Sequence, residues 1–198
     1  MSIDDAVERL KEDGLADHNK WVGVYIGILA VVLAICNVGG ANAGKDANRA
    51  NIEAANTWAF FQAKNIRRSA ITMAADELEL QVAAQPAIPA EARQKIEAKI
   101  ADYRATIQKL TTDPERHEGL DELFAKGKAL ENERDIAMRR DPYFDWSQAL
   151  LQIAIVLASV HLIIGNTTLV ALSGGLAGLG ILLMLNGFTL ALILPFLG

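Results

Sequence analysis

Charge is missing from two long stretches of this chain: no Lys, Arg, Asp or Glu occurs from Trp21 to Gly44, and none from Trp146 to Gly198. A membrane span needs roughly 20 mainly apolar residues, so runs of this length read as spans rather than as core helices. They override the single-domain expectation that 198 residues would otherwise raise. Cysteine is nearly absent. The single Cys36 lies in the first uncharged stretch, which excludes an intrachain disulfide and leaves the redox compartment unread. The start of the chain has no basic leader, since Asp4, Asp5, Glu8, Glu12, Asp13 and Asp17 outnumber Arg9, Lys11 and Lys20. With so long a hydrophobic run behind it, this is not a cleavable signal peptide, and the first span is expected to stay in the mature protein. The net charge of −5 comes mainly from this tail and gives no reason to expect nucleic-acid binding.

Proline and glycine are absent from Asn48 to Ala84, so nothing there interrupts a helix. Ile52, Ala59, Ile66, Met73 and Leu80 recur every seven residues, with Ala63 and Ala70 between them. That is a narrow apolar seam suited to packing against another helix. Gln85-Pro86-Ala87-Ile88-Pro89 ends the helix, and Pro89 suits entry to a second one. There Ile96, Ile100, Tyr103, Ile107 and Leu110 follow spacings of four and three, which argues for an antiparallel hairpin in which the two seams meet. Asp113-Pro114 stops or kinks this helix, and Asp113 is placed to cap the next. From Glu115 to Arg140 a stripe of Leu120, Leu123, Leu130 and Ala137, interrupted by Gly127 and Arg134, returns the chain to the membrane.

The spans themselves carry local signals. Ser2 and Asp5 are spaced as a variant capping box, and Ile3, Val7 and Leu10 share one side of a short helix ending near Gly14. That helix lies on the membrane surface or is a solvated acidic tail. The first span runs from Trp21 to about Gly40, with Trp21 and Tyr25 at its interfacial end. Gly23 and Gly27, and Gly174 and Gly178 in the last span, have the spacing at which a second helix backbone approaches closely. Gly39 to Asp46, GGANAGKD, matches the phosphate pattern G-x-x-x-x-G-K only superficially: a membrane helix precedes it, and Asp46 replaces the magnesium-binding hydroxyl. Its glycines are expected instead to loosen the helix as it leaves the membrane. If the helix runs unbroken from Trp21 to Ala84, it is about 96 Å long. At Asp141-Pro142 the proline separates the charged helix from a second span over 146–164, and Gly165 to Thr168 turns into a third over 169–194 that Pro195 ends.

Residues suited to carry chemistry are few. His161 is the one ionisable side chain in a span, a position that raises a proton relay or ligand. With no second acid or histidine in any span, a neutral imidazole bonded to a backbone carbonyl or to Asn166 is preferred. His117 lies among Glu115, Glu118, Asp121 and Glu122 without a second His or Cys at helical spacing, so a solvated face is preferred to a metal site. Trp58, Phe60 and Phe61 cannot all lie on the narrow seam, because successive residues are about 100° apart. Some meet another surface: the returning helix, a neighbouring subunit or a foreign partner. Beside them, Lys64, Arg67 and Arg68 form a solvated face, pair with acids of the hairpin, or contact lipid headgroups.

At these residues the sequence resembles a known family, the bacterial membrane proteins called domain of unknown function 4337. The likeness rests on Thr57 to Arg67, TWAFFQAKNIR, and on Phe144-Asp145 followed by Ala149 to Ser159, ALLQIAIVLAS. The resemblance implies a three-span inner-membrane protein with a central helical region, and it carries over no catalytic residues.

Together these readings predict an all-α integral membrane protein with three transmembrane helices and a central extramembrane antiparallel helical hairpin or coiled coil. The segments are an acidic tail (1–20), a first span (21–40), a central helical region (41–145) and two further spans (146–164 and 169–194). Basic residues flank the central side, which predicts a cytoplasmic central region and an N-terminus outside. The expected function is non-enzymatic: a scaffold that self-associates as a homo-oligomer, or an accessory subunit of a membrane complex. The expected partners are lipid and other membrane subunits, with no nucleic acid, cofactor or metal. The alternative is an oligomeric channel lined by the Asn and Ala faces of the first helix. A membrane enzyme centred on His161 ranks third.

Overall fold

A computed structural model describes the backbone of residues 3–85 and 87–194, and their side chains from residue 19 onward. Among the described residues the regular structure is all α-helix, without strands, in four elements: α1 (Ile3–Ala84), α2 (Ala90–Thr111), α3 (Leu120–Ile164) and α4 (Thr167–Thr189). The Ser2–Asp5 cap, the Ile3, Val7 and Leu10 side chains, and the end assigned to Pro195 lie outside the described residues, whereas α1 ends at Ala84 directly before Gln85 and α2 follows Pro89, as the sequence leads one to expect.

Three interruptions expected from the sequence do not occur. α1 does not stop near Gly14, nor loosen at Gly39, Gly40 or Gly44. One glycine costs a helix only about 1 kcal/mol, less than the surrounding residues supply. α3 likewise runs straight through Pro142. The proline denies the Met138 carbonyl its usual partner, but Tyr143 and Phe144 beside it are buried and hold the segment in place.

The chain divides into two compact units: Asn48–Arg134, and the two flanking segments Met1–Ala47 and Asp135–Gly198. The flanking unit packs α1, α3 and α4 around Leu29, Cys36, Phe144, Leu151, Ala154 and Met184. Buried α3 residues fall at Phe144, Ser147, Leu151, Ala154, Ala158 and His161, and those of α4 at Ser173, Ala177, Gly180, Met184 and Gly187. These alternating steps of three and four keep one stripe of each helix facing its neighbours. Most of the stripe is small, which lets backbones approach and side-chain hydroxyls reach across. Ser147 Oγ donates to the Gly180 carbonyl at 2.7 Å and Ser173 Oγ to the Ala154 carbonyl at 2.7 Å. The Tyr25 hydroxyl sits 3.1 Å from Ser173 Oγ, tying α1 to the same point.

The third apolar helix ends earlier than expected, at Thr189 rather than Leu194. Leu190 is left-handed (φ 49°), and the chain beyond it is gathered back. Asn186 Nδ2 donates to the Leu192 carbonyl (2.8 Å) while its Oδ1 accepts from Leu192 N–H (2.9 Å). The Tyr143 hydroxyl donates to Leu192 O and accepts from Leu194 N–H. At the other end, Asn166 caps α4 by accepting from Thr168 N–H, and Gly165 supplies the positive φ of the turn.

In the central unit, contact partners fall in number as α1 advances. Arg49 meets Glu133, Trp58 meets Glu131, Lys64 meets Glu118, and Asp76 and Glu79 meet Arg104. α1 is thus antiparallel to a return limb made of α2 and the start of α3. The joint at 112–119 is stitched by Thr112 Oγ1 to Asp121, Asp113 N–H to Glu122 and Arg116 N–H to Asp113. Asp113 therefore organises this loop rather than capping the next helix, which begins only at Leu120.

Candidate interaction surface

The aromatic cluster of α1 is answered within the chain. Trp58 stacks edge-on against Phe61 and Phe124, each at 5.6 Å between ring centroids. Its indole N–H donates to Glu131 at 3.0 Å, and Lys128 Nζ lies 5.7 Å over the ring. Room for the indole comes from Gly127, where a Cβ would meet Trp58 Cε2 at 2.8 Å. Gly127 interrupts the leucine stripe by composition only. It occupies the stripe's own position between buried Leu123 and Leu130 and serves as the notch for Trp58. The hydrogen bond from Lys128 and, less, the one from Trp58 hold the Glu131 carboxyl below its usual value.

The basic residues are partly occupied. Lys64 bonds the Glu118 carbonyl and stands 4.9 Å over the Phe60 ring. Arg68 donates to Asn65 Oδ1 at 2.9 Å. Arg67 is exposed and borders a groove of about 730 Å³ shared with Lys109, Arg116 and Glu118. Further along, Arg104 grips Glu79 and Asp76, which hold its guanidinium pKa above the ordinary value.

The apolar seam of α1 lies on the other side. Ile52 is 53% exposed, Ile66 70%, Met73 71% and Leu80 70%, and Ala59, Ala63 and Ala70 are exposed with them. The expectation that this seam packs against the hairpin is therefore corrected. The face turned inward is Ala54, Thr57, Phe61, Ala75, Leu78 and Val82, on the same seven-residue period but about 160° around the helix. The α2 half of the expectation stands: Ile96, Ile100, Tyr103 and Ile107 are half-buried and Leu110 is buried. Two heptads ran side by side through α1, and the purely apolar one was the more visible.

The expected glycine pairs make no close approach within the chain. Gly23, Gly27, Gly174 and Gly178 have nothing within 4 Å of an added Cβ. Close approach falls instead at Gly39, whose Cβ would stand 2.5 Å from Phe144 Cε1, and at Gly40, Gly180 and Gly187. Gly40 begins a GxxxG with Gly44, but Gly39, Gly180 and Gly187 lie in no such pair, and it is the facing Phe144, Phe188 and Leu151 that explain them. His161 is buried with Nδ1 2.9 Å from the Asn166 carbonyl, the backbone-bonded arrangement expected for it. His117 is exposed at the joint, with φ 55° and its N–H on Asp113 O.

Three helices in this all-helical chain are long and apolar enough to cross a membrane, which defines its class. The family model described as Domain of unknown function (DUF4337) matches residues 18–190, and the chain belongs to that family. No curated protein and no solved structure matches it.

Proposed function

We propose that the protein is a non-enzymatic, three-span protein of the bacterial inner membrane that self-associates as a scaffold or as an accessory subunit of a larger membrane complex. The observation carrying this reading is the distribution of exposed apolar side chains. In the flanking unit, Val24, Val31, Ile153, Val156, Leu182 and Leu185 point away from a core of small residues, as lipid contact requires. In the central unit a second exposed apolar line runs from Ile52 to Leu80 without lipid to cover it.

The central unit is then a helical hairpin in the cytoplasm. Lys45, Arg49, Lys126, Lys128, Arg134, Arg139 and Arg140 support that side, and the 165–168 turn has no basic residue. The N-terminus lies outside. Native mass spectrometry from mild detergent tests the reading. Species of more than one copy, alone or with other subunits, are expected; a lone monomer overturns it.

A further inference from the structure

We propose that the exposed seam of α1 from Ile52 to Leu80 is a parallel, in-register interface with a second copy of this chain. The inference rests on the membrane insertion and self-association proposed above. A strict seven-residue apolar repeat selects a helix as its partner, because only a supercoiled helix keeps such a seam covered over several turns. Among the described residues nothing covers that seam: α2 and α3 cover the opposite face of α1.

Three features select a second copy over another helix. The first is direction: copies inserted in one orientation carry α1 the same way, so their seams meet in parallel. The second is the residue pattern. With Ile52, Ala59, Ile66, Met73 and Leu80 at the d positions, Asn56, Ala63, Ala70 and Glu77 fall at a. Alanine layers between larger ones allow close approach of identical helices. A single asparagine at a is the device that fixes register and copy number in parallel pairs, each amide bonding its twin. Asn56 is exposed.

The third is what flanks the seam. In a parallel pair a g residue faces the e residue five positions on in the partner. That sets Ala55 against Phe60 and Gln62 against Arg67, and it brings no like charges together. Phe60, 42% exposed, thereby gains cover on a face where the chain itself supplies the Lys64 side chain. The area is sufficient in order of magnitude. A seam of about 42 Å on a helix 10–12 Å wide covers roughly 450 Å² per copy, about 900 Å² in all. Specific interfaces begin near about 1,000 Å², and Phe60 and Arg67 add to the strip. Glu77 is the discordant layer, since its twin would face it.

Cysteine cross-linking of the full chain in intact membranes tests the proposal, with wild type, whose Cys36 is buried, as the baseline. Mild oxidation is expected to yield disulfide dimers of Ala59→Cys, Ile66→Cys and Met73→Cys, and none of Lys99→Cys or Lys126→Cys on the return limb. Glu77→Leu should raise the dimer yield, and Asn56→Leu should spread cross-linking to positions off the seven-residue period. Cross-linking between Ile52→Cys and Leu80→Cys chains would indicate an antiparallel pair and overturn the proposal. Adducts to a different protein at the seam would overturn it as well. Seam variants that stay uncrosslinked while native mass spectrometry shows oligomers would remove this interface but keep self-association. A monomer by mass spectrometry would remove both.

Discussion

The indole of Trp58 occupies the volume that a side chain on Gly127 would need: a Cβ there would lie 2.8 Å from both Cε2 and Cζ2. Gly127→Ala should therefore push Trp58 off Phe124 and Glu131, at a cost of about 1–3 kcal/mol for overpacking. Thermal unfolding in detergent should show the lower midpoint, and tryptophan emission should shift to longer wavelength as the ring gains water. An unchanged midpoint and spectrum would mean the ring has room that the geometry denies it.

The sequence carried the helices better than it carried their faces. The absence of charge from 21–44 and from 146–198 and the absence of Pro and Gly from Asn48 to Ala84 are composition signals, and composition marks which segments are helical. Which side of α1 turns inward depends on what α2 and α3 offer, and there the mixed face of Thr57, Phe61 and Leu78 prevailed over the all-apolar line through Ile66. Lys64 and Arg68 disguised that inward face, since their charged ends are satisfied by Glu118 and Asn65. The close-approach glycines were illegible for a related reason: Gly39 matters because of Phe144, more than a hundred positions away. His161 was legible because its partner is five residues on.

Glycine position, rather than glycine content, should set the stability of the flanking unit. Gly39→Ala puts a methyl 2.5 Å from the Phe144 ring and 2.9 Å from Phe188, and Phe144 is buried with no free direction to move. A loss of about 1–3 kcal/mol is expected. Gly44→Ala meets nothing within 4 Å. It should gain roughly 0.5–1 kcal/mol from helix propensity alone. Opposite shifts of the two unfolding midpoints are the expected result; shifts of the same sign would contradict the packing described.

Tyr143→Phe separates two clamps on the segment after α4. Leu192 keeps both hydrogen bonds to Asn186, whereas Leu194 N–H loses the acceptor it has in the Tyr143 hydroxyl. Hydrogen exchange should accelerate at Leu194 and hardly change at Leu192. Asn186→Ala should accelerate exchange at Leu192. Equal acceleration at both amides in Tyr143→Phe would show that the segment opens as one piece.

Two carboxylates should give acid titrations of opposite sign. Glu131 has its pKa lowered, first by the Lys128 hydrogen bond and to a lesser degree by Trp58. Its contribution is present above the ordinary glutamate value and disappears as pH falls through the lower folded value. Asp141 is raised, first by burial and then by the charge of Asp145. Folding disfavours its ionised form, so its penalty is full at neutral pH and lifts as pH drops through the raised value. Asp141→Asn should therefore raise the unfolding midpoint at pH 7 and lose that advantage towards pH 4. Glu131→Gln should lower it at pH 7, with the deficit vanishing in acid. The measurement is the difference in midpoint between each variant and wild type across that range, which cancels the titration of every other group. A midpoint for Asp141→Asn below wild type at pH 7 would show that the carboxylate has a stabilising partner outweighing its burial.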